Sequence, residues 1–366
     1  MKFKTSKKQL IKPLQSVMGV VERKQSMPIL SNVLLSVSGD NLTITATDLE
    51  VELRTSLAIN DASDGQITVP GRKFYDICRA LPEDSDIELV LEKDKLIVKT
   101  KRSKFTLSIL DAADFPLIEE MDSKQAISIN SGEFKDVLLE KTMFSMAQQD
   151  VRFYLNGLLL EVCPDSLRAV ATDGHRLAVS ELALSEKNYE NQKVIIPRKG
   201  VLELHKILDN EEKIDLEVGK NHIRVSFKNL RFTSKLIDGQ FPDYQKVIPS
   251  DANNILVSSR DTLKDALQRV AILSNEKYRG VRLNLSSGLL RIEANNPDQE
   301  EAEETIKLKY EGEDTEIGFN VNYLLEALGA VDEDGVEVSL GDSNSSCLIR
   351  AEGNKNYKFV VMPMRL

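Results

Sequence analysis

Apolar and polar residues alternate along three segments of this chain, and the three resemble one another. Asn41 to Asp48 places Leu42, Ile44 and Ala46 on one face. Ser166 to Asp173 does the same with Leu167, Ala169 and Ala171, and Leu289 to Asn296 with Leu290, Ile292 and Ala294. Such alternation predicts strands with one buried face. A helical stripe follows each strand at a matching offset. Phe74, Ile77, Cys78 and Leu81 follow Val69-Pro70, and Val201, Leu204, His205 and Leu208 follow Ile196-Pro197. Val321, Leu324, Leu325 and Leu328 follow Phe319-Asn320. Apolar residues three and four apart predict amphipathic helices, and the prolines fit helix starts.

Another helix is predicted at the opening of each copy, near Leu10 to Val21, Phe134 to Met146 and Leu263 to Ser274. Pro13 should start or kink the first. Each copy closes on a strand-like run, Lys104 to Leu110, Arg231 to Ile237 or Tyr357 to Val361, followed by Phe115-Pro116, Phe241-Pro242 or Met362-Pro363. Segments kept in one order at a spacing of roughly 120 to 127 residues predict three copies of one unit. Hairpins mixed with two helices per copy predict an α+β domain, antiparallel sheet with helices on one face. Polar stretches at Glu119–Gln125 and Pro249–Asn254 place the boundaries, giving domains 1–122, 123–250 and 251–366.

At 366 residues the chain is long enough for two or three cores. Cys78, Cys163 and Cys347 are odd in number and far apart, which argues against a disulfide framework or a zinc site and suits a reducing cytoplasm. No apolar run reaches the length of a membrane span. The phosphate loop, the dinucleotide fingerprint and the nucleophile elbow are all missing from the sequence. His175, His205 and His222 include no helical metal pair, and no cofactor or metal is expected. Asp173 and His175 are the best candidates for acid–base chemistry, as in a hydrolase. Asp48 stands at the same repeat position without a histidine after it, so a turn-forming Asp-Gly is the competing and favoured reading.

The net charge of −10 argues against nucleic acid, because phosphate binding is dominated by lysine and arginine. Its distribution changes that picture. The predicted helices sum to about +5 and the remainder to about −15, so helices gathered on one side would make that side basic. The tail, Phe359 to Leu366, is unusually apolar and methionine-rich for a terminus, as adaptable partner surfaces are.

Thr172-Asp173-Gly174-His175-Arg176-Leu177-Ala178, Ile196-Pro197-Arg198-Lys199-Gly200, the run from Ser274 to Leu283 and the tail Val361-Met362-Pro363-Met364-Arg365-Leu366 closely resemble the bacterial DNA sliding clamps, the beta subunits of the replicative DNA polymerase III. The resemblance runs end to end. It implies three clamp-fold domains, sheets outside and helices inside, and a head-to-tail homodimer closing a ring around duplex DNA. It implies no catalysis of the chain's own. By position, the family's DNA contacts fall on Lys24, Arg72, Gln149, Phe153 and Tyr154. Its cleft for apolar peptides of polymerases and the clamp loader falls on Leu155, Thr172, Gly174, His175, Arg176, Leu177, Pro242, Val247, Ser346, Val360, Val361, Met362, Pro363, Met364, Arg365 and Leu366. Its dimer seam falls on Lys73, Arg102, Phe105 and Leu107 against Ile272, Leu273, Glu300, Glu303 and Glu304. A monomeric adaptor using the apolar tail is the rival reading, and circular DNA separates the two because only a ring is retained on it.

Overall fold

The computed structural model describes residues 1–365, except 22–26, 120, 122, 124, 209–211, 250–253 and 343. Every strand pairing in it is antiparallel, as the hairpin-rich pattern predicts. Contacts divide the chain into two compact units, Met1–Ser131 with Lys199–Leu236, and Gly132–Arg198 with Ile237–Leu366. The division cuts through the middle sequence copy, and the sheets give the reason.

In the first unit an eight-stranded sheet runs in the order Ala126–Asn130, Lys213–Val218, His222–Phe227, Leu230–Lys235, Val51–Ala58, Asn41–Thr47, Asn32–Ser38, Gly65–Pro70. Four strands come from the middle copy and four from the first. They join where Phe232 faces Leu53 and Thr233 faces Glu52. In the second unit an eight-stranded sheet runs in the order Gln192–Pro197, Gly157–Val162, Ser166–Thr172, Arg176–Ala183, Tyr357–Val361, Cys347–Ala351, Gly335–Leu340, Asn254–Ser259. Here the middle copy joins the third, with Phe359 facing Ala178 and Val360 facing Leu177. The closing strand of one copy thus pairs with the fourth strand of the copy before it, in the same register both times. Backbone hydrogen bonds continue through each junction, so the middle copy is shared between two sheets.

Two smaller sheets end this pattern. In the first unit, a five-stranded sheet (Asn60–Ser63, Lys2–Ser6, Asp86–Glu92, Lys95–Lys99, Lys104–Ser108) leaves Lys104–Ser108 at an edge. In the second, a four-stranded sheet (Glu301–Lys307, Leu289–Asn295, Gly280–Ser286, Thr315–Asn320) leaves Glu301–Lys307 at an edge.

The helices lie close to the predicted positions. Gly71–Ala80, Arg198–Ile207 and Val321–Gly329 are the second helices of the three copies, and Lys7–Val17 and Arg260–Ala271 open the first and third. Ser6 starts Lys7–Val17 with a capping box, its hydroxyl accepting from the Gln9 N–H while the Gln9 side chain accepts from the Ser6 N–H. The helix does not start at Pro13 but runs through it to Val17. A missing proline N–H deprives only the Gln9 carbonyl of its donor, and burial of Leu10, Leu14 and Val17 offsets that loss.

The middle copy departs from the predicted helix Phe134 to Met146. A turn at Ser131–Glu133 widens into a π-helix over Phe134–Leu139, followed by a separate 3₁₀ turn at Met143–Ser145. The wider turn buries the adjacent Leu138 and Leu139 together with Phe134. The Thr142 hydroxyl then donates to the Leu138 carbonyl at 2.6 Å, where a further helical N–H would bind.

Because Phe232 is fully buried at a junction, Phe232→Ala should cost about 3–5 kcal/mol. Urea unfolding monitored by circular dichroism measures the loss.

Candidate partner cleft

The turn between Ser166–Thr172 and Arg176–Ala183 is built by side chains accepting from the backbone. The Thr172 hydroxyl donates to the Arg176 carbonyl at 2.6 Å and accepts from the Gly174 N–H at 3.1 Å. Asp173 Oδ1 accepts from the N–H groups of His175 and Arg176 at 2.9 and 3.0 Å, and Oδ2 accepts from Arg176 Nε at 3.1 Å. The first copy has the same turn: Thr47 bonds to Val51 and Leu49, and Asp48 Oδ1 to the N–H groups of Glu50 and Val51. Asp173 is therefore occupied in holding the turn and Arg176. The His175 ring stacks on Tyr323 at 18° and 6.4 Å between centroids. The two do not form an acid–base pair.

Arg176 ties this turn to the third copy. Its guanidinium lies over Tyr323 at 4.6 Å and Phe144 at 5.4 Å, donates to the Phe144 carbonyl at 2.7 Å, and pairs with Glu326. Beside it the turn opens into a cavity of about 200 Å³. Of the residues predicted for a peptide cleft, Leu155, Thr172, Gly174, Arg176, Leu177, Pro242, Val247 and Met362 line it. Arg152, Asp243 and Tyr244 complete the lining without having been foreseen. Tyr154, predicted for DNA, is also a wall of this cavity.

The other predicted cleft residues lie around it. Val360 is buried beneath with Leu177 and Tyr244, whereas Val361 belongs to the core of the third copy. The Ser346 hydroxyl reaches the Val247 carbonyl at 3.4 Å. The tail is pinned where Met362 N–H donates to the His175 carbonyl and Met364 N–H to the Gly318 carbonyl, at 2.9 and 2.8 Å. Pro363 is half-buried and Arg365 exposed, and Leu366 lies outside the described residues.

Of the predicted DNA contacts, Lys24 lies outside the described residues. Arg72 is exposed on Gly71–Ala80, with Nη2 donating to the Val21 carbonyl at 2.8 Å. Gln149 (φ +58°) and Phe153 are exposed in the loop before Gly157–Val162. Phe153 meets Tyr154 edge to face at 5.8 Å.

The predicted seam residues lie on or beside the edge strands Lys104–Ser108 and Glu301–Lys307. Phe105 and Leu107 are on Lys104–Ser108, half-buried and buried, with Arg102 exposed in the preceding turn and Lys73 exposed on Gly71–Ala80. In the other unit Glu303 and Glu304 lie on Glu301–Lys307, and Glu300 immediately precedes it. Ile272, 76% exposed, and half-buried Leu273 follow Arg260–Ala271. Glu304 is held by Arg269 at 2.6 Å, which keeps its carboxyl below the usual carboxylate range. Glu300 accepts from the Asn296 side chain at 2.6 Å.

Burial pushes the Cys78 and Cys347 thiols up to about 12, so neither is a thiolate near neutral pH. No metal-holding cluster of His, Cys, Asp or Glu occurs among the described residues, and no helix among them is long and apolar enough to cross a membrane.

Gly174 sits at φ +89°, and a Cβ there would lie 2.9 Å from Arg152 Nη2. Gly174→Ala should therefore cost about 1–2 kcal/mol and push Arg152 off the cleft rim. Thermal unfolding measures the first effect, and a peptide-binding titration the second.

Residues 1–119, 128–243 and 245–365 match, in turn, the N-terminal, central and C-terminal domains of the DNA polymerase III beta subunit. The chain is 51% identical to the beta sliding clamp of Pseudomonas aeruginosa and 46% identical to that of Escherichia coli, covering 100% of each chain. The crystal structure of the P. aeruginosa DNA polymerase III subunit beta superposes with a TM-score of 0.98 at 50% identity, again over 100% of both chains. Copy by copy and along its whole length, this chain belongs to the DNA polymerase III beta subunit family.

Proposed function

We propose that the chain is a DNA sliding clamp and processivity factor, two copies of which close head to tail around duplex DNA. The observation that carries this reading is the repeated junction. Lys104–Ser108 is the first copy's equivalent of Leu230–Lys235 and Tyr357–Val361, both of which pair with a neighbouring copy. Glu301–Lys307 is the third copy's equivalent of Val51–Ala58 and Arg176–Ala183, which receive them. One strand of each kind is left with an unpaired backbone edge, a ready template for another chain. In the shared register Phe105 would pair with Ala302, and Lys104 with Glu303, of the second copy. The basic side chains near one edge and the glutamates of the other are complementary. Repeating a head-to-tail contact produces a ring when the rotation closes.

Retention in a ring is topological, so DNA needs to be held only by loose contacts to phosphate. Arg72, Gln149, Phe153 and Tyr154 are the described side chains proposed for that role, with Lys24 from sequence position. A ring of three domains per chain, bounded at 1–122, 123–250 and 251–366, lets basic helices line the hole although the chain is acidic overall. The cleft tethers polymerase and clamp-loader subunits through short apolar peptides. Its cavity of about 200 Å³ exceeds the roughly 150 Å³ that admits benzene, so an aromatic side chain fits. The clamp works in the cytoplasm and catalyses nothing itself.

Sedimentation should give a mass of about twice the 41.0 kDa chain, falling to one chain when Ile272 and Leu273 are both changed to alanine. The wild type should remain on circular DNA and leave it when the circle is cut. A monomer lost equally from both forms would favour the adaptor. For the register, the double variant Phe105→Cys and Ala302→Cys should form an intermolecular disulfide on oxidation, visible as a reducible dimer on a gel. Neither single variant should do so.

A further inference from the structure

One face of the middle copy carries a row of side chains that the other copies do not reproduce. In register across four neighbouring strands lie Lys193, Glu161, Arg168 and Glu181, alternating in charge. The first copy has Gln66, Ser36, Thr43 and Ser56 in these places, all neutral. The third has Glu316, Asn284, Arg291 and Thr305, which line an open surface pocket.

In the middle copy Tyr244 covers the centre of the row, Glu161 and Arg168. Its hydroxyl donates to Glu161 Oε2 at 2.8 Å and accepts from Arg168 Nη1 at 3.4 Å. Glu161 is 3% exposed and also receives Arg168 Nη1 at 3.1 Å and Lys193 Nζ at 2.6 Å. Arg168 forks onto Glu181 at 2.9 and 3.2 Å. Burial pushes the Glu161 carboxyl up, but the hydrogen bonds from Lys193, Tyr244 and Arg168 outweigh it and hold the group below the usual carboxylate range.

An ionic network around one buried carboxylate is weak evidence for stability, since apolar packing serves as well. The first copy occupies the equivalent positions with neutral residues. What distinguishes the middle copy is the cleft, and Tyr244 lines it while packing in the same cluster as Leu177 and Val360. The segment from Pro242 to Val247 belongs to no strand and forms this wall with a short 3₁₀ turn, Tyr244–Val247.

We propose that Glu161, acting through the Tyr244 hydroxyl, is a positioning residue for the partner cleft, fixing the Pro242–Val247 wall on which an apolar peptide packs. This rests on the cleft reading above. Glu161 touches no ligand itself. Its carboxylate orients the tyrosine, and the tyrosine presents the wall already set, so that binding does not have to order it.

The test uses the full-length chain and a fluorescein-labelled peptide ending in Leu-Phe, followed by anisotropy. Glu161→Ala should raise the peptide Kd about tenfold, and Tyr244→Phe, which keeps the ring and removes only the hydroxyl, about threefold to tenfold. Glu161→Gln retains an acceptor for the hydroxyl and should recover most of the affinity lost in Glu161→Ala. The sedimentation mass should match wild type in all three, because Glu161 and Tyr244 lie on neither free edge. Wild-type affinity in both Glu161→Ala and Tyr244→Phe would overturn the positioning role and leave the cleft reading intact. Equal losses in Glu161→Ala and Glu161→Gln, with Tyr244→Phe unaffected, would also overturn it. A wild-type chain that does not bind the peptide would overturn the cleft reading and this inference with it.

Discussion

Strand edges join the copies of this chain to one another. Backbone N–H and C=O groups along an edge have to be met by something, and a neighbouring strand meets them most completely. The chain applies this twice, through Leu230–Lys235 against Val51–Ala58 and through Tyr357–Val361 against Arg176–Ala183. Because the register is the same both times, the side chains beside each junction fall in equivalent places. A one-residue slip would turn Phe232 or Phe359, both buried, toward the opposite face. Lys104–Ser108 and Glu301–Lys307, the equivalents of those strands in the first and third copies, stay at sheet edges.

The cleft arises where one repeat was altered without changing its frame. Both copies of the Thr-Asp turn need a residue at positive φ, supplied by Leu49 at +78° and by Gly174 at +89°. Leu49 packs against the small cluster of Ile29, Leu30, Leu34 and Phe115. Gly174 has no side chain to place in the corresponding region, and the cavity lies beside it. A leucine at positive φ is strained, and its packing offsets the strain in the first copy. Glycine takes the same backbone without that strain and leaves space for another molecule.

Charge follows the same division between frame and use. Asp48 spends one oxygen on its turn and the other on Lys199 at 2.5 Å. Asp173 instead holds Arg176, whose guanidinium is stacked between aromatic rings and paired to Glu326. Equivalent carboxylates thus reach the second helix of the next copy, one directly and one through an arginine. Asn296, at the third position, keeps the turn hydrogen bonds to Asp298 and Glu300 but brings no charge.

Much of this was legible from the residues. Period-two alternation in Leu42, Ile44 and Ala46 and their counterparts identifies strands, and the stripes after Pro70, Pro197 and Asn320 identify helices, because both depend on contacts a few residues away. The turn role of Asp173 follows from its recurrence as Asp48. The π-helix at Phe134–Leu139 and the start of the first helix at Lys7, ahead of Pro13, did not follow, because burial there outweighs local preference. Tyr244 gave no sign of being a cleft wall, since its partners Glu161 and Arg168 are distant in sequence and meet it only across the sheet. The three copies, their strands, the helices other than the middle copy's first, and the family are therefore readable from the residues. Which strands pair between copies, and which of two equivalent turns opens a cavity, emerges only in the folded chain, because both rest on contacts between residues far apart in sequence.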